Sequence, residues 1–130
     1  MGISPKTTGV HHIALRSSNM QTSKNFYQNI LGLPLVLDTE TLIGFMAGSV
    51  FIGIKQASPP HAEDTVFTPF NIGLDHVAMA CESLVELERV AKELSEAGVE
   101  NTGVKVDATL QKKYVAFKDP DRIQWEFYMM

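Results

Sequence analysis

Cysteine is almost missing from this chain, because Cys81 is the one cysteine among 130 residues. A lone thiol forms no intrachain disulfide, so we expect a reducing, cytoplasmic setting in which Cys81 is a buried structural residue. Long apolar runs are missing too: no stretch approaches about 18 consecutive apolar residues, which predicts no membrane-spanning helix. Residues 1–6 lack an apolar core and a cleavage site, so no secretory signal is expected.

Clustered positive charge is also absent. Lys and Arg number 11 against 15 Asp and Glu, which gives a net charge of −4, and the basic residues are scattered along the chain. Without a basic stripe or arm, nucleic acid is not an expected partner. The composition, 45% hydrophobic and 20% charged, is that of an ordinary globular protein, and the length fits a single domain over residues 1–130.

An internal repeat is the strongest pattern that the sequence does contain. The run Gly-Val-His-His-Ile-Ala-Leu at 9–15 recurs as Gly-Leu-Asp-His-Val-Ala-Met at 73–79, which places His12 and His76 64 residues apart. Both copies alternate like a strand and are followed by a helical pattern and further apolar runs. The sequence therefore predicts an α+β fold of two β-α-β-β-β modules, 8–56 and 73–130, joined by a linker at 57–72.

Local signals set the limits of the predicted elements. Asn19 is the expected N-cap of a helix over 20–31 that ends at Gly32, and Ser83 with Glu86 forms a capping box for a second helix that ends at Gly98. A turn is expected at 47–49. The linker is rich in Pro and has the length of a loop that covers a site or exchanges across a homodimer. The predicted strands are 10–16, 35–37, 42–46, 50–55, 74–81, 99–107, 112–118 and 123–129.

His12, His76 and Glu126 occupy matching phases of their strands. His12 shares a face with Ala14, as His76 does with Ala78. If the apolar faces meet the helices, both imidazoles and the carboxylate lie on the concave side of the sheet, where a carboxylate needs a partner or a cation. Two His and one carboxylate with open positions are typical ligands of Fe2+, Mn2+ or a related divalent ion. The alternative is that both His are hydrogen-bonded structural residues and Glu126 is a rim carboxylate.

Strand alternation also predicts which way the residues near these three candidates point. His11 is expected to point to the opposite face from His12, although a slip of register would make His11 the ligand instead. Tyr114 and Tyr128 are the candidate catalytic residues, as hydrogen-bond donors beside the site or as substrate contacts. Tyr128 is expected on the same strand face as Glu126. The competing interpretation is that Tyr128 is a solvated residue at the rim of the site.

Four stretches carry a resemblance to a known family: 12–15, 25–33, 76–78, and 119–121 leading to Glu126. With them the chain resembles the vicinal oxygen chelate superfamily, which includes glyoxalase I, extradiol dioxygenases and the fosfomycin and bleomycin resistance proteins. The resemblance implies paired β-α-β-β-β modules that form a curved mixed sheet around a cleft. It implies His12, His76 and Glu126 as ligands of Fe2+, Mn2+, Zn2+ or Ni2+, and a small oxygenated metabolite as the substrate.

One departure from the family pattern bears on the chemistry. Glyoxalase-like members carry a Glu or Gln in the last strand of the first module, and aligning 50–54 with 123–127 places Gly53 there. Three ligands instead of four favour a dioxygenase-like enzyme over a glyoxalase-like one, although the further His usual in extradiol dioxygenases is missing after His76. A non-catalytic binder of the bleomycin-resistance kind and a scaffold without chemistry stay as alternatives. The site could lie within one chain or be shared across a homodimer.

Overall fold

The structure is a computed structural model that describes residues 2–59 and 65–130. The chain divides into two compact units, Met1–Ala57 and Ser58–Met130. Residues 60–64 of the predicted linker lie outside the described part. Within the described ranges, no helix combines the length and the apolar character needed to cross a membrane.

The first unit is a four-stranded mixed sheet with a helix between its first two strands. Its elements are β1 (His12–Ser17), α1 (Met20–Asn25), a π-helical turn (Phe26–Ile30), β2 (Leu35–Asp38), β3 (Ile43–Ala47) and β4 (Val50–Gln56). The strand order is β1-β4-β3-β2, in which β1 runs parallel to β4 and the other pairs are antiparallel. A parallel pair needs a crossover, and α1 supplies it.

The predicted helix over 20–31 begins as expected and then changes type. The Asn19 side chain accepts a hydrogen bond from the Thr22 N–H at 3.0 Å, as an N-cap does. From Phe26 the helix widens to a π-turn, in which the Leu31 N–H donates to the Phe26 carbonyl oxygen. A wider turn separates successive side chains by a smaller angle, so the adjacent Phe26 and Tyr27 are both buried.

The second unit repeats this order. Its elements are β5 (Val77–Cys81), α2 (Leu84–Glu96), β6 (Lys105–Val106), β7 (Lys113–Lys118) and β8 (Gln124–Met129). The strand order is β5-β8-β7-β6, again with the first strand parallel to the last and the others antiparallel. The predicted α+β fold of two β-α-β-β-β modules is confirmed, and each module forms a four-stranded sheet.

Helix α2 packs against its sheet through Leu87, Ala91 and Leu94, all buried as the sequence pattern predicts. Half of the expected capping box forms: the Ser83 hydroxyl accepts from the Glu86 N–H at 3.1 Å. In a full capping box the Glu86 carboxylate would accept from the Ser83 N–H. Here that carboxylate pairs with Arg89 instead.

The predicted strand over 99–107 is much too long. Only Lys105–Val106 pairs with β7, apart from an isolated bridge between Asn101 and Phe117. The Asn101 side chain bonds the Val99 carbonyl and the Gly103 N–H, both at 2.9 Å, so it holds a local turn that competes with the ladder. Gly103 completes the turn with a φ of +67°, a left-handed conformation that a strand does not contain.

Candidate functional site

The two sheets carry equivalent positions at the same register. In the first unit Ala14 lies opposite Gly53, which in turn lies opposite Gly44 on β3. In the second unit Ala78 lies opposite Glu126, which lies opposite Ala116 on β7. The registers confirm the alignment of Gly53 with Glu126. They also show that small residues flank this position in each sheet, which leaves the central side chain room on that face.

His76 and Glu126 are brought together in the second unit. The His76 Nε2 atom lies 3.3 Å from the Glu126 Oε1 atom. The other ring nitrogen, Nδ1, lies 2.6 Å from Asp75 Oδ1. An ionised carboxylate only accepts hydrogen bonds, so Nδ1 carries the proton that is donated to Asp75. The remaining nitrogen of the ring, Nε2, therefore faces the Glu126 carboxylate.

This geometry calls for a proton or a metal cation between two electron-rich atoms. With Nδ1–H committed to Asp75, a neutral His76 directs the Nε2 lone pair at an anionic oxygen of Glu126. A proton between the two atoms, on Nε2 or on the Glu126 carboxyl, or a metal cation resolves that repulsion. An imidazole nitrogen and a carboxylate oxygen that face each other, with the imidazole oriented by an outer carboxylate, fit a divalent cation.

Glu126 is buried, with 8% of its surface exposed, and its environment disfavours the bare carboxylate. Burial raises the pKa of Glu126 above its ordinary value, and the charges of Asp107 and Asp75 raise it further, whereas His76 acts in the opposite direction. Asp75 and Glu126 contact the His76 imidazole, and the charge of Asp107 acts on Glu126. A cation bound at Glu126 would relieve the cost that the desolvated charge imposes.

Tyr114 and Tyr128 lie opposite each other on β7 and β8, next to this pair. Their rings are stacked with centroids 6.0 Å apart, and the Tyr128 hydroxyl donates to Asp107 Oδ2 at 3.0 Å. Burial and the hydrogen bond to Asp107 raise the pKa of Tyr128, so the phenol stays protonated at neutral pH and acts as a donor, not as a base. Neither tyrosine is shown to contact a substrate, so their catalytic roles stay a prediction.

In the first unit His12 contacts His11 instead of turning away from it. The two Nδ1 atoms are 2.9 Å apart, and the rings meet edge to face with centroids 5.1 Å apart. The expectation that His11 points to the opposite face is wrong. Strand alternation begins only at His12, the first residue of β1, so it does not govern the orientation of His11.

An aromatic ring fills the place in the first sheet that a carboxylate takes in the second. A Cβ atom built on Gly44 would lie 2.2 Å from Phe51 Cζ, and one built on Gly53 would lie 3.3 Å from Phe51 Cε1. The Phe51 ring therefore lies over the two glycines, and its centroid is 6.5 Å from that of His12. The first unit presents an apolar surface beside its histidine.

The predicted ligands divide between the units. His76 and Glu126 meet in the second unit, and His12 belongs to the first, where it meets His11 and Phe51. Across residues 2–59 and 65–130, no three His, Cys, Asp or Glu side chains form a group able to hold a metal ion. The metal site of His12, His76 and Glu126 stays a prediction.

Sequence reasoning missed the contacts that three residues make in this region. Asp75 and His11 both precede a candidate ligand at the same repeat position, and the repeat itself was the available signal. Asp107 was also missed. Its side chain accepts from the Thr109 N–H at 2.8 Å, a backbone contact that an Asp commonly makes two residues along the chain.

Comparison with known families gives a match along nearly the whole chain. The model of the Glyoxalase/Bleomycin resistance protein/Dioxygenase superfamily matches residues 9–127. The matched span begins before β1 and ends within β8, so it takes in His12, His76 and Glu126, whereas Tyr128 lies one residue beyond it.

Individual relatives agree with this match. The chain is 30% identical over 126 residues to the uncharacterized protein YwkD of Bacillus subtilis (strain 168), covering 92% of this chain and 94% of that protein. It is 30% identical over 122 residues to Glyoxylase I 4 of Arabidopsis thaliana, covering 88% of this chain and 66% of that one. The crystal structure of a glyoxalase family protein from Enterococcus faecalis is similar at a TM-score of 0.75, with 29% identity over 93% of this chain and 97% of that one.

Proposed function

Since this chain belongs to the Glyoxalase/Bleomycin resistance protein/Dioxygenase superfamily, we propose that it is a metal-dependent enzyme acting on a small oxygenated metabolite. Members of the superfamily are generally metal-dependent. The proposed ligands are His76 and Glu126 of the second unit and His12 of the first. The proposed ion is Fe2+, Mn2+, Zn2+ or Ni2+, because imidazole and carboxylate ligands suit all four.

One observation carries this proposal: the 3.3 Å approach of His76 Nε2 to Glu126 Oε1, with Nδ1 engaged by Asp75. A cation in this gap satisfies the Nε2 lone pair and the buried carboxylate together. The surrounding carboxylates favour a cation, and the flanking Ala78 and Ala116 leave space for one.

A divalent ion bound here would supply a Lewis acid that holds two neighbouring oxygens of a substrate. The protein's own groups supply the rest. Asp75 holds the proton on His76 Nδ1, and Asp107 holds the hydroxyl proton of Tyr128, which leaves the Tyr128 oxygen as an acceptor. The Phe51 ring gives the His12 side an apolar wall.

The absence of a side chain at Gly53 favours a dioxygenase-like enzyme over a glyoxalase-like one. Glycine offers neither a fourth ligand nor a carboxylate base, and Phe51 lies close over that position. Dioxygenase-like chemistry needs open positions for the substrate and for oxygen, which three protein ligands leave. The protein is proposed to act as a homodimer on a small molecule.

Metal binding is the first test. Protein freed of metal with a chelator is titrated with each of the four ions by calorimetry, with Glu126→Gln, His76→Gln and His12→Gln beside the wild type. We expect one ion per chain and a loss of affinity beyond about 100-fold in each variant, since even outer residues cost about 10–100-fold. Glu88→Gln, an exposed carboxylate on α2, is the matched control and should bind like the wild type.

Activity assays then separate the chemistries. Oxygen uptake with catechols tests the dioxygenase-like reaction, and consumption of the hemithioacetal of methylglyoxal and glutathione tests the glyoxalase-like one. A wild type that binds none of the four ions would refute the metal-dependent enzyme and leave the binding protein. Stoichiometric metal with turnover in neither assay would refute these two substrate classes but not the metal site.

A further inference from the structure

The residue before each candidate ligand makes the same contact in both repeats. His11 Nδ1 lies 2.9 Å from His12 Nδ1, and Asp75 Oδ1 lies 2.6 Å from His76 Nδ1. His11 and Asp75 are equivalent by the repeat, just as His12 and His76 are, since the same 64 residues separate each pair. One contact is between two imidazoles and the other is between an imidazole and a carboxylate.

We propose that His11 and Asp75 are positioning residues that hold the proton on Nδ1 of His12 and His76, so that each ligand presents Nε2 to the metal. The proposal rests on the proposed function and adds two residues to it. A metal-ligating histidine commonly donates its other N–H to an outer partner, which fixes the tautomer and the ring orientation. Neither partner would touch the substrate.

The His11–His12 contact also decides which of the two rings can be the ligand. In a hydrogen bond between two neutral imidazoles through Nδ1, the donor keeps a free Nε2 lone pair and the acceptor carries its proton on Nε2. The pair therefore presents one metal-binding Nε2, not two. The repeat assigns that role to His12, which aligns with His76, and it makes His11 the acceptor that aligns with Asp75.

The two partners differ in how firmly they fix the tautomer. A carboxylate such as Asp75 only accepts, so it allows a single arrangement of the proton. An imidazole such as His11 can donate or accept, so the His11–His12 pair has two arrangements, and only one of them leaves His12 able to bind metal. The first repeat thus holds its ligand less firmly than the second.

A swap of partners tests this difference. His11→Asp gives His12 the partner that His76 has, and we expect it to match or exceed the wild-type affinity for Zn2+ and Mn2+. His11→Ala and Asp75→Ala should each weaken binding by about 10–100-fold. Asp75→Asn keeps an accepting oxygen and should restore most of the affinity lost in Asp75→Ala. Val10→Asp adds the same charge one residue away and controls for simple electrostatic attraction.

The tautomers are read separately in metal-free protein. Long-range 1H–15N correlation spectra of the imidazole rings, recorded where the rings are neutral, should show Nδ1–H on His12 and His76. His11→Ala and Asp75→Ala should move the corresponding ring toward Nε2–H. Both replaced side chains are exposed, so these variants are expected to fold, which circular dichroism checks.

Three results would overturn the inference: unchanged tautomers in both alanine variants, equal gains in Val10→Asp and His11→Asp, or a His12→Ala variant that binds metal while His11→Ala does not. The last result would make His11 the ligand. A wild type that binds no metal refutes the proposed function, whereas the tautomer spectra decide the positioning roles on their own.

Discussion

Adding one methyl group at Gly44 should reveal how tightly the Phe51 ring is held. The new Cβ atom would lie 2.2 Å from Phe51 Cζ and 2.3 Å from Cε2, so the ring must leave its place. Forced repacking of this kind costs about 1–3 kcal/mol in the free energy of unfolding. At Gly53 the nearest atoms are 3.2 and 3.3 Å away, so Gly53→Ala should cost less than about 1 kcal/mol.

The severe part of the clash comes from the ring, since the other close atom, Leu37 Cβ, lies at 3.2 Å, so removing the ring should remove most of the penalty. In a Phe51→Ala background, Gly44→Ala should become neutral or stabilising by about 0.4–1 kcal/mol, because Ala restricts the unfolded chain and the φ of Gly44 is not in the left-handed region. The double-mutant cycle should therefore give a coupling of about 1–4 kcal/mol between the two positions.

Urea unfolding followed by circular dichroism measures these differences, and the fluorescence of the fully buried Trp125 provides a second probe. Coincident transitions by both probes are required before the free energies are compared. A Gly44→Ala cost that is the same with and without the Phe51 ring would refute the packing argument. So would a Gly53→Ala variant as unstable as Gly44→Ala.

Two further predictions concern pH and have opposite signs. Because the pKa of Glu126 is raised in the folded protein, its ionisation costs stability as pH rises through that pKa, so Glu126→Gln should gain stability over metal-free wild type from pH about 4 upward and lose the advantage in acid. Three hydrogen bonds, from the Thr109 and Leu110 N–H groups and the Tyr128 hydroxyl, lower the pKa of Asp107, so Asp107→Asn should be less stable at neutral pH and equal to wild type once pH falls below that pKa. Urea denaturation at a series of pH values measures both, and slopes of the same sign for the two variants would contradict the assignment.

The order of the elements could be predicted from the sequence because each rests on a local signal. Period-two alternation marked β1 and β5, and the side chains of Asn19 and Ser83 cap the helices as expected. These signals depend on neighbouring residues alone. The prediction of a strand over 99–107 was wrong because a local turn competes there with strand pairing. The Asn101 side chain bonds the Gly103 N–H, and Gly103 has a left-handed backbone conformation, so the turn forms.

The candidate site, too, could be predicted from the sequence only in part. Strand alternation predicts that His76 and Glu126 lie on the same face of the sheet. In the structure His76 Nε2 lies 3.3 Å from Glu126 Oε1. The contact of His12 with His11 could not be predicted, because alternation does not apply to a residue that precedes the strand. The ring over Gly44 and Gly53 was also hidden, because a glycine in a sequence does not tell which side chain covers it.

The matched registers of the two sheets have a consequence for the history of the chain. Gly53 and Glu126 stand in the same place between small neighbours, as expected of one position in a module that was duplicated. An assembly of identical modules had a carboxylate at both positions or at neither. Two copies joined in one chain can differ at this position, and here one half carries an acid while the other carries a glycine covered by Phe51.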